Sequence, residues 1–258
     1  MTETFHAIAT IAEKKAQTVR TSKFGFLMLA FYGGLFIGFG IITFIVIGGL
    51  LSPTNVPSMK IIQGLAFGVA LCMVTLSGAD LFTGNNLVMS IGTLEKRTSV
   101  LDLINVWTYS YVGNFIGSII CAWLFFMSGM AIGETANFVE KVTTAKMSAP
   151  AMELFFRGIL CNALVCVAVW CTYRLKSEAA KIMIIFCCIF PFIMSGFEHS
   201  IANMTLFSLA FMIPHEEAIT FSGALHNLVP VTAGNIVGGA VVLGLGLWLT
   251  EQGKRNVD

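Results

Sequence analysis

GADLFTGN (residues 78–85) and GFEHSIAN (196–203) are two copies of one pattern, Gly-x-acid-x-x-x-small-Asn, and each interrupts a long apolar run. The first follows GLAFGVALCMVTLS (64–77) and the second follows KIMIIFCCIFPFIMS (181–195). Backbone that leaves helical geometry at membrane depth frees N–H and C=O groups, and this is tolerated only where they are buried in protein or line a polar cavity. The two stretches are therefore predicted to be breaks in membrane helices that face each other near the midplane.

The rest of the chain supports a membrane setting. Of 258 residues, 56% are hydrophobic and 11% charged, with 22 Phe and 13 Met, which few soluble domains approach. Runs long enough to cross about 30 Å of hydrocarbon lie near 26–50, 61–91, 104–129, 153–173, 181–212 and 227–249. That predicts an all-α polytopic membrane protein with six spans, the second and fifth broken. The near-zero net charge says nothing about partners, and no nucleic-acid partner is expected.

The repeat extends beyond the breaks. GNFIG (113–117) follows the first by 35 residues, and GNIVG (234–238) follows the second by 38. GLFIG (34–38) and GILCN (158–162) hold comparable places upstream. The chain thus divides into two three-span repeats, about 26–130 and 150–250. An odd number of crossings per repeat inverts the second relative to the first, and broken helices at matching places in inverted repeats point to a substrate path.

Eleven of the 15 Lys and Arg residues fall in the N-terminal segment, the 92–103 and 174–181 loops and the C-terminus. Positively charged loops stay in the cytoplasm, so both termini are expected there, with 251–258 as a cytoplasmic tail. Residues 1–25 lack the apolar core and cleavage site of a secretory signal. Residues 5–20 suit a helix on the membrane surface, with Phe5, Ile8, Ile11 and Ala12 toward the apolar side and Lys14, Lys15 and Arg20 toward water; a plain solvated helix fits the same pattern. The seven cysteines sit mostly in apolar runs without metal-ligand spacing and read as small buried residues.

Asp80 and Glu198 occupy equivalent positions, so one explanation should serve both: they are expected to accept hydrogen bonds from freed backbone N–H groups and cap the half-helices. His199 has no such counterpart, because Leu81 takes its place. An imidazole can donate one hydrogen bond and accept another. Beside Thr83 it would offer a passing anion a pair of donors at the point of greatest dehydration, and could give a proton to a weak-acid anion. No span carries the paired carboxylates that hold cations. Lys146, in KVTTAKMSAP (141–150), could draw anions into a vestibule or be a solvated loop lysine. Phe67, Leu71 and Phe192 could share a pore-facing surface that gates by dewetting, or be ordinary core.

Together these residues resemble the formate/nitrite transporter family of bacterial inner-membrane anion channels. GADLFTGN and GFEHSIANM (196–204) resemble its two broken-helix signatures, RGILCNALV (157–165) its fourth-span motif and NLVPVTAGNIVGG (227–239) its last-span motif. KMSAPAMELFFRGILCN (146–162) and SGFEHSIANMTLF (195–207) are most similar to the nitrite-type branch, though the hydrosulfide-conducting branch shares much of this. The resemblance implies a homopentamer with an aquaporin-like protomer and a pore in each. It implies His199 as the central pore histidine, Thr83 as its hydrogen-bonding partner and Lys146 as the vestibule lysine. Phe67, Leu71, Leu81 and Phe192 match the constrictions; Glu198, Asn162 and Asn203 match the polar residues that support the histidine and the breaks. Asp80 stands where the family commonly has Glu.

The function expected is transport of small monovalent weak-acid anions, namely nitrite, formate or hydrosulfide, across the bacterial inner membrane, with no enzyme activity, cofactor or metal. A neutral-solute channel would share the architecture but not need His199. A membrane metalloenzyme built on His199, His215 and His226 lacks any H-x-x-x-H or H-x-x-E-H spacing.

Overall fold

The computed structural model describes residues 2–215 and 217–255. The described elements are helical: α1 Thr2–Thr21, α2 Lys23–Leu51, α3 Met59–Ser77, α4 Phe82–Leu94, α5 Val100–Met127, α6 Gly133–Met147, α7 Ala151–Arg174, α8 Glu178–Met194, α9 Ser200–Ala210, α10 Phe221–Ile236 and α11 Gly246–Arg255. Five stretches are long and apolar enough to cross a bilayer by length and composition. The remaining crossing is the broken one, in which α8 has 17 residues and α9 has 11. The molecule is an all-α membrane protein of two inverted repeats, α2 to α5 and α7 to α10, in an aquaporin-like arrangement.

Local chemistry explains where the helices begin. No charged residue occurs between Phe24 and Met59, so α2 is free to lie in hydrocarbon, and it starts where Ser22 Oγ accepts the Gly25 N–H at 3.3 Å. Ser99 and Asp102 form a reciprocal capping box at the start of α5, with bonds of 3.1 and 3.0 Å. Thr220 Oγ1 caps α10 by accepting the Gly223 N–H at 3.0 Å.

The Gly of each signature ends the helix before its break. Gly78 (φ +76°) follows α3, and Gly196 (φ +73°) holds the same place after α8. The next N–H then reaches back in each repeat, Ala79 to Val74 O at 3.1 Å and Phe197 to Phe192 O at 3.2 Å. This is the left-handed helix stop that favours glycine. A Cβ added at Gly78 would meet nothing within 4 Å, so only backbone strain opposes it. Gly78→Ala is expected to lower stability by about 1 kcal/mol, with Gly78→Asn milder, read from thermal unfolding midpoints in detergent.

Small residues also let the long helices of each repeat touch backbone to backbone. A Cβ at Gly113 would sit 2.9 Å from Leu27 O, where α5 packs on α2, and one at Gly158 would sit 2.8 Å from Val231 O, where α7 packs on α10.

Three elements differ from the sequence reading. The segment that carries Lys146 is the helix α6, not a loop, and stands before α7 as α1 stands before α2. The sixth span contains a π-helical stretch, Val237–Leu245, in the glycine-rich VGGAVVLGL, and its helix runs on into the expected tail as far as Arg255. Residues 256–258 of the expected tail lie outside the described residues. Finally, α1 is bound to the channel body rather than free: Phe5 packs edge-on against Trp170 at 4.9 Å, and Arg20 holds Asp102 with two bonds of 2.6 Å. Lys15, expected to face water, turns inward to Asp80.

Candidate functional site

Both breaks are held open by an asparagine from the last helix of their own repeat. Asn114 Oδ1 accepts the Phe82 N–H at 2.9 Å, while its amide donates to Ala30 O at 2.6 Å and Asp80 O at 2.8 Å. Asn235 does the same in the second repeat, accepting from Ser200 N and donating to Gly158 O and Glu198 O, each at 2.9 Å. The break strands are pinned further by Asp80 N–H to Leu29 O at 3.0 Å and Glu198 N–H to Arg157 O at 3.3 Å. One side chain in each repeat thus satisfies three backbone groups that would otherwise be stranded. Asn235→Ala should leave them unpaired; at roughly 1–3 kcal/mol for a buried unsatisfied group, we expect a loss of at least about 2 kcal/mol, visible as a lowered unfolding midpoint.

The acids bond differently from the backbone caps expected for them. Asp80 takes Lys15 on one carboxylate oxygen and the Asn85 amide on the other. Glu198 takes Lys146 at 2.6 Å and the Asn203 amide at 2.6 Å. The backbone amides are served by Asn114 and Asn235 instead, which leaves each buried carboxylate to neutralise a half-buried lysine. The arrangement is the same in both repeats: a lysine from the helix before the first span (α1 or α6), the signature acid, and the Asn five residues on. Each lysine side chain is 21% exposed against 4% for its acid. Lys15, read from the sequence as a water-facing residue, is the repeat counterpart of Lys146; only the tertiary contact with Asp80 makes the equivalence visible.

His199 breaks this symmetry in two ways. Its Nδ1 accepts the Ala202 N–H at 3.2 Å and so caps α9, whereas Leu81 offers α4 nothing. Its Nε2 lies 3.0 Å from Thr83 Oγ1. An acceptor at Nδ1 leaves Nε2 as the N–H of a neutral imidazole. Asn162 supports the pair from behind, donating to Thr83 O at 3.1 Å, Asn86 Oδ1 at 3.0 Å and Asn235 O at 2.7 Å.

Cavities open on both sides of this pair. One, of about 520 Å³, is lined by Lys146, Glu198, His199, Asn203 and Phe192. The other, of about 280 Å³, is lined by Lys15, Leu71, Leu81, Gly84 and Asn85. Leu81 and Gly84 flank Thr83, so the buried Thr83–His199 contact separates the two. Phe192 stacks obliquely on His199 at 6.0 Å and meets Phe67 edge-on at 5.9 Å. The chemistry available here is hydrogen-bond donation to an anion inside an apolar sleeve. His226 bonds Ala149 O at 3.0 Å, His215 packs on Phe211, and among the described residues no three His, Cys, Asp or Glu converge.

Two interrupted helices meeting around a polar pair, in an inverted-repeat bundle with a cavity on either side, define a membrane channel protomer. The chain belongs to the formate/nitrite transporter family, which residues 2–249 match. It is 39% identical over 258 residues to the nitrite transporter NirC of Escherichia coli K12, covering 99% of this chain and 95% of that one. Its fold is similar to that of a solved FNT family ion channel, with a TM-score of 0.92, 36% identity and coverage of 97% and 99%. A pentameric formate channel with formate bound gives a TM-score of 0.79 at 28% identity, covering 90% and 99%. The family is one of transporters and channels, not of enzymes.

Proposed function

We propose that the chain forms a homopentameric channel of the bacterial inner membrane, passing small weak-acid anions, nitrite first, then formate and hydrosulfide, through a pore in each protomer. Residues 26–250 form the channel domain, α1 lies along the cytoplasmic surface, and both termini are cytoplasmic. The observation that carries this reading is the Thr83–His199 pair, a fixed donor buried between two lysine-bearing cavities. The names borne by the related proteins, nitrite transporter and pentameric formate channel, favour the same substrates and assembly.

In this reading an anion meets Lys146 or Lys15 first. Each lysine is neutralised by its carboxylate, so it acts through its remaining ammonium donors rather than as a long-range attractor. The anion then sheds water between Phe67 and Phe192, or between Leu71 and Leu81, where an unpaired charge is heavily penalised. His199 and Thr83 offset that loss. A neutral imidazole cannot give up its Nε2 proton, and a second proton at Nδ1 would break the cap on α9. The proton that accompanies a weak acid therefore comes from vestibule water, and His199 works as a permanent donor rather than as a proton carrier.

Flux into proteoliposomes tests this directly. Nitrite and formate should enter at least about tenfold faster than chloride, the difference set by one good hydrogen bond to the anion, and faster as pH falls. Equal nitrite and chloride rates would overturn the weak-acid mechanism. Rapid glycerol entry that survives loss of the His199 imidazole would favour a neutral-solute channel.

A further inference from the structure

The two cavities are unequal in a way that the lysine–acid–Asn symmetry does not explain. The one on the α6 side is almost twice the volume of the other, about 520 against 280 Å³. Its wall carries Phe44, Phe138 and Phe197, with Phe44 and Phe138 rings tilted together at 5.9 Å. The smaller cavity has Tyr173 as its one aromatic lining residue. The large cavity also has more lysine and arginine on its wall than the ion pairs of the described residues engage. Lys146 is matched by Glu198 and Arg157 by Glu153, but Lys60 and Lys141 line the cavity and form no ion pair among the described residues. A triatomic anion needs neither the phenyl-lined volume nor the two extra cations.

We propose that this cavity binds aromatic monoanions too wide to pass the Phe67–Phe192 constriction, and that they act as one-sided blockers of the channel. The ring lies against Phe44, Phe138 and Phe197, and the anionic group faces Lys60 and Lys141. Cavities of 300–1,000 Å³ with apolar walls and a few convergent polar groups are the usual sites for such ligands. The proposal rests on the transport reading above, since blocking presupposes a flux to block.

Benzenesulfonate is the probe, because it stays anionic and so cannot cross as a neutral acid. Methanesulfonate, with the same charge and no ring, is the control. Nitrite flux is measured in right-side-out and inside-out membrane vesicles, with binding to the purified pentamer read separately by calorimetry. Benzenesulfonate should inhibit from the face bearing α6 only, at a concentration at least about tenfold below that needed for methanesulfonate, as burial of a phenyl ring implies. The double variant Lys60→Gln/Lys141→Gln should raise the half-inhibitory concentration at least about threefold. Equal potency of the two sulfonates, or equal block from both faces, would overturn the proposal. Nitrite flux with neither block nor calorimetric binding would overturn it and leave the transport reading standing. Calorimetric binding that weakens in the double variant, in a protein that carries no nitrite, would support the site while refuting the transport reading and with it the blocking role.

Discussion

Glu198→Ala is expected to destabilise the protein by about 3–5 kcal/mol, the usual consequence of stranding one member of a buried ion pair. Glu198 is 4% exposed and accepts from both Lys146 and Asn203, so its removal leaves an ammonium and one of the two Asn203 amide N–H groups without an acceptor, the other staying on Asn227 Oδ1 at 2.8 Å. Lys146 is 21% exposed, enough for some water to reach it but not to replace a carboxylate. The result should appear as a lower unfolding midpoint and a less monodisperse protein in detergent. Asp80→Ala should do the same through Lys15 and Asn85. The double variant Lys146→Met/Glu198→Gln separates folding from function. It removes both charges and keeps an oxygen for Asn203, so stability should largely return while nitrite flux stays low for want of the ammonium donors. Wild-type stability in Glu198→Ala would show that the pair carries no structural weight.

His199→Asn should lower nitrite and formate flux by about 10- to 100-fold with little change in stability. Asparagine is among the best N-cap residues, so it can still accept the Ala202 N–H that His199 Nδ1 takes at 3.2 Å. It is too short to place a donor where Nε2 meets Thr83 at 3.0 Å. The magnitude follows from losing one hydrogen bond to a charged group, about 1.5–3 kcal/mol. His199→Leu, which copies the Leu81 of the other repeat, should lose the cap as well and unfold earlier by about 1 kcal/mol. Unchanged flux in His199→Asn would remove the imidazole from the mechanism.

Much of the fold is legible because its determinants are local or repeated. The apolar runs announce the spans, and the matching Gly of GADLFTGN and GFEHSIAN marks two helix stops that need a left-handed residue. Helix α6 escaped notice because the GETANFVEKVTTAKM of 133–147 is mixed in polarity and too short to span. The π-helical stretch is not legible because VGGAVVLGL obeys an ordinary apolar pattern, although in the fold it packs against α4 and α7.

The candidate site divides along the same line. Residues inside the signatures, Asp80, Thr83, Glu198, His199 and Asn203, are visible because the pattern singles them out. Asn114 and Asn235 were within reach, since GNFIG and GNIVG repeat the same Gly-Asn step, but nothing in the spacing says that these amides bridge a break 34 to 37 residues away.

Hydropathy, glycine placement and repetition are written along the chain, and they suffice to specify a six-span inverted-repeat membrane protein with two broken helices and a lone histidine at one of them. What the acids do, which lysines they hold and which nitrogen of His199 is left as a donor depend on contacts between distant segments. Those are questions of partner choice. A buried carboxylate takes whichever donor the fold brings to it, and an imidazole keeps its proton on the nitrogen that no backbone amide has claimed.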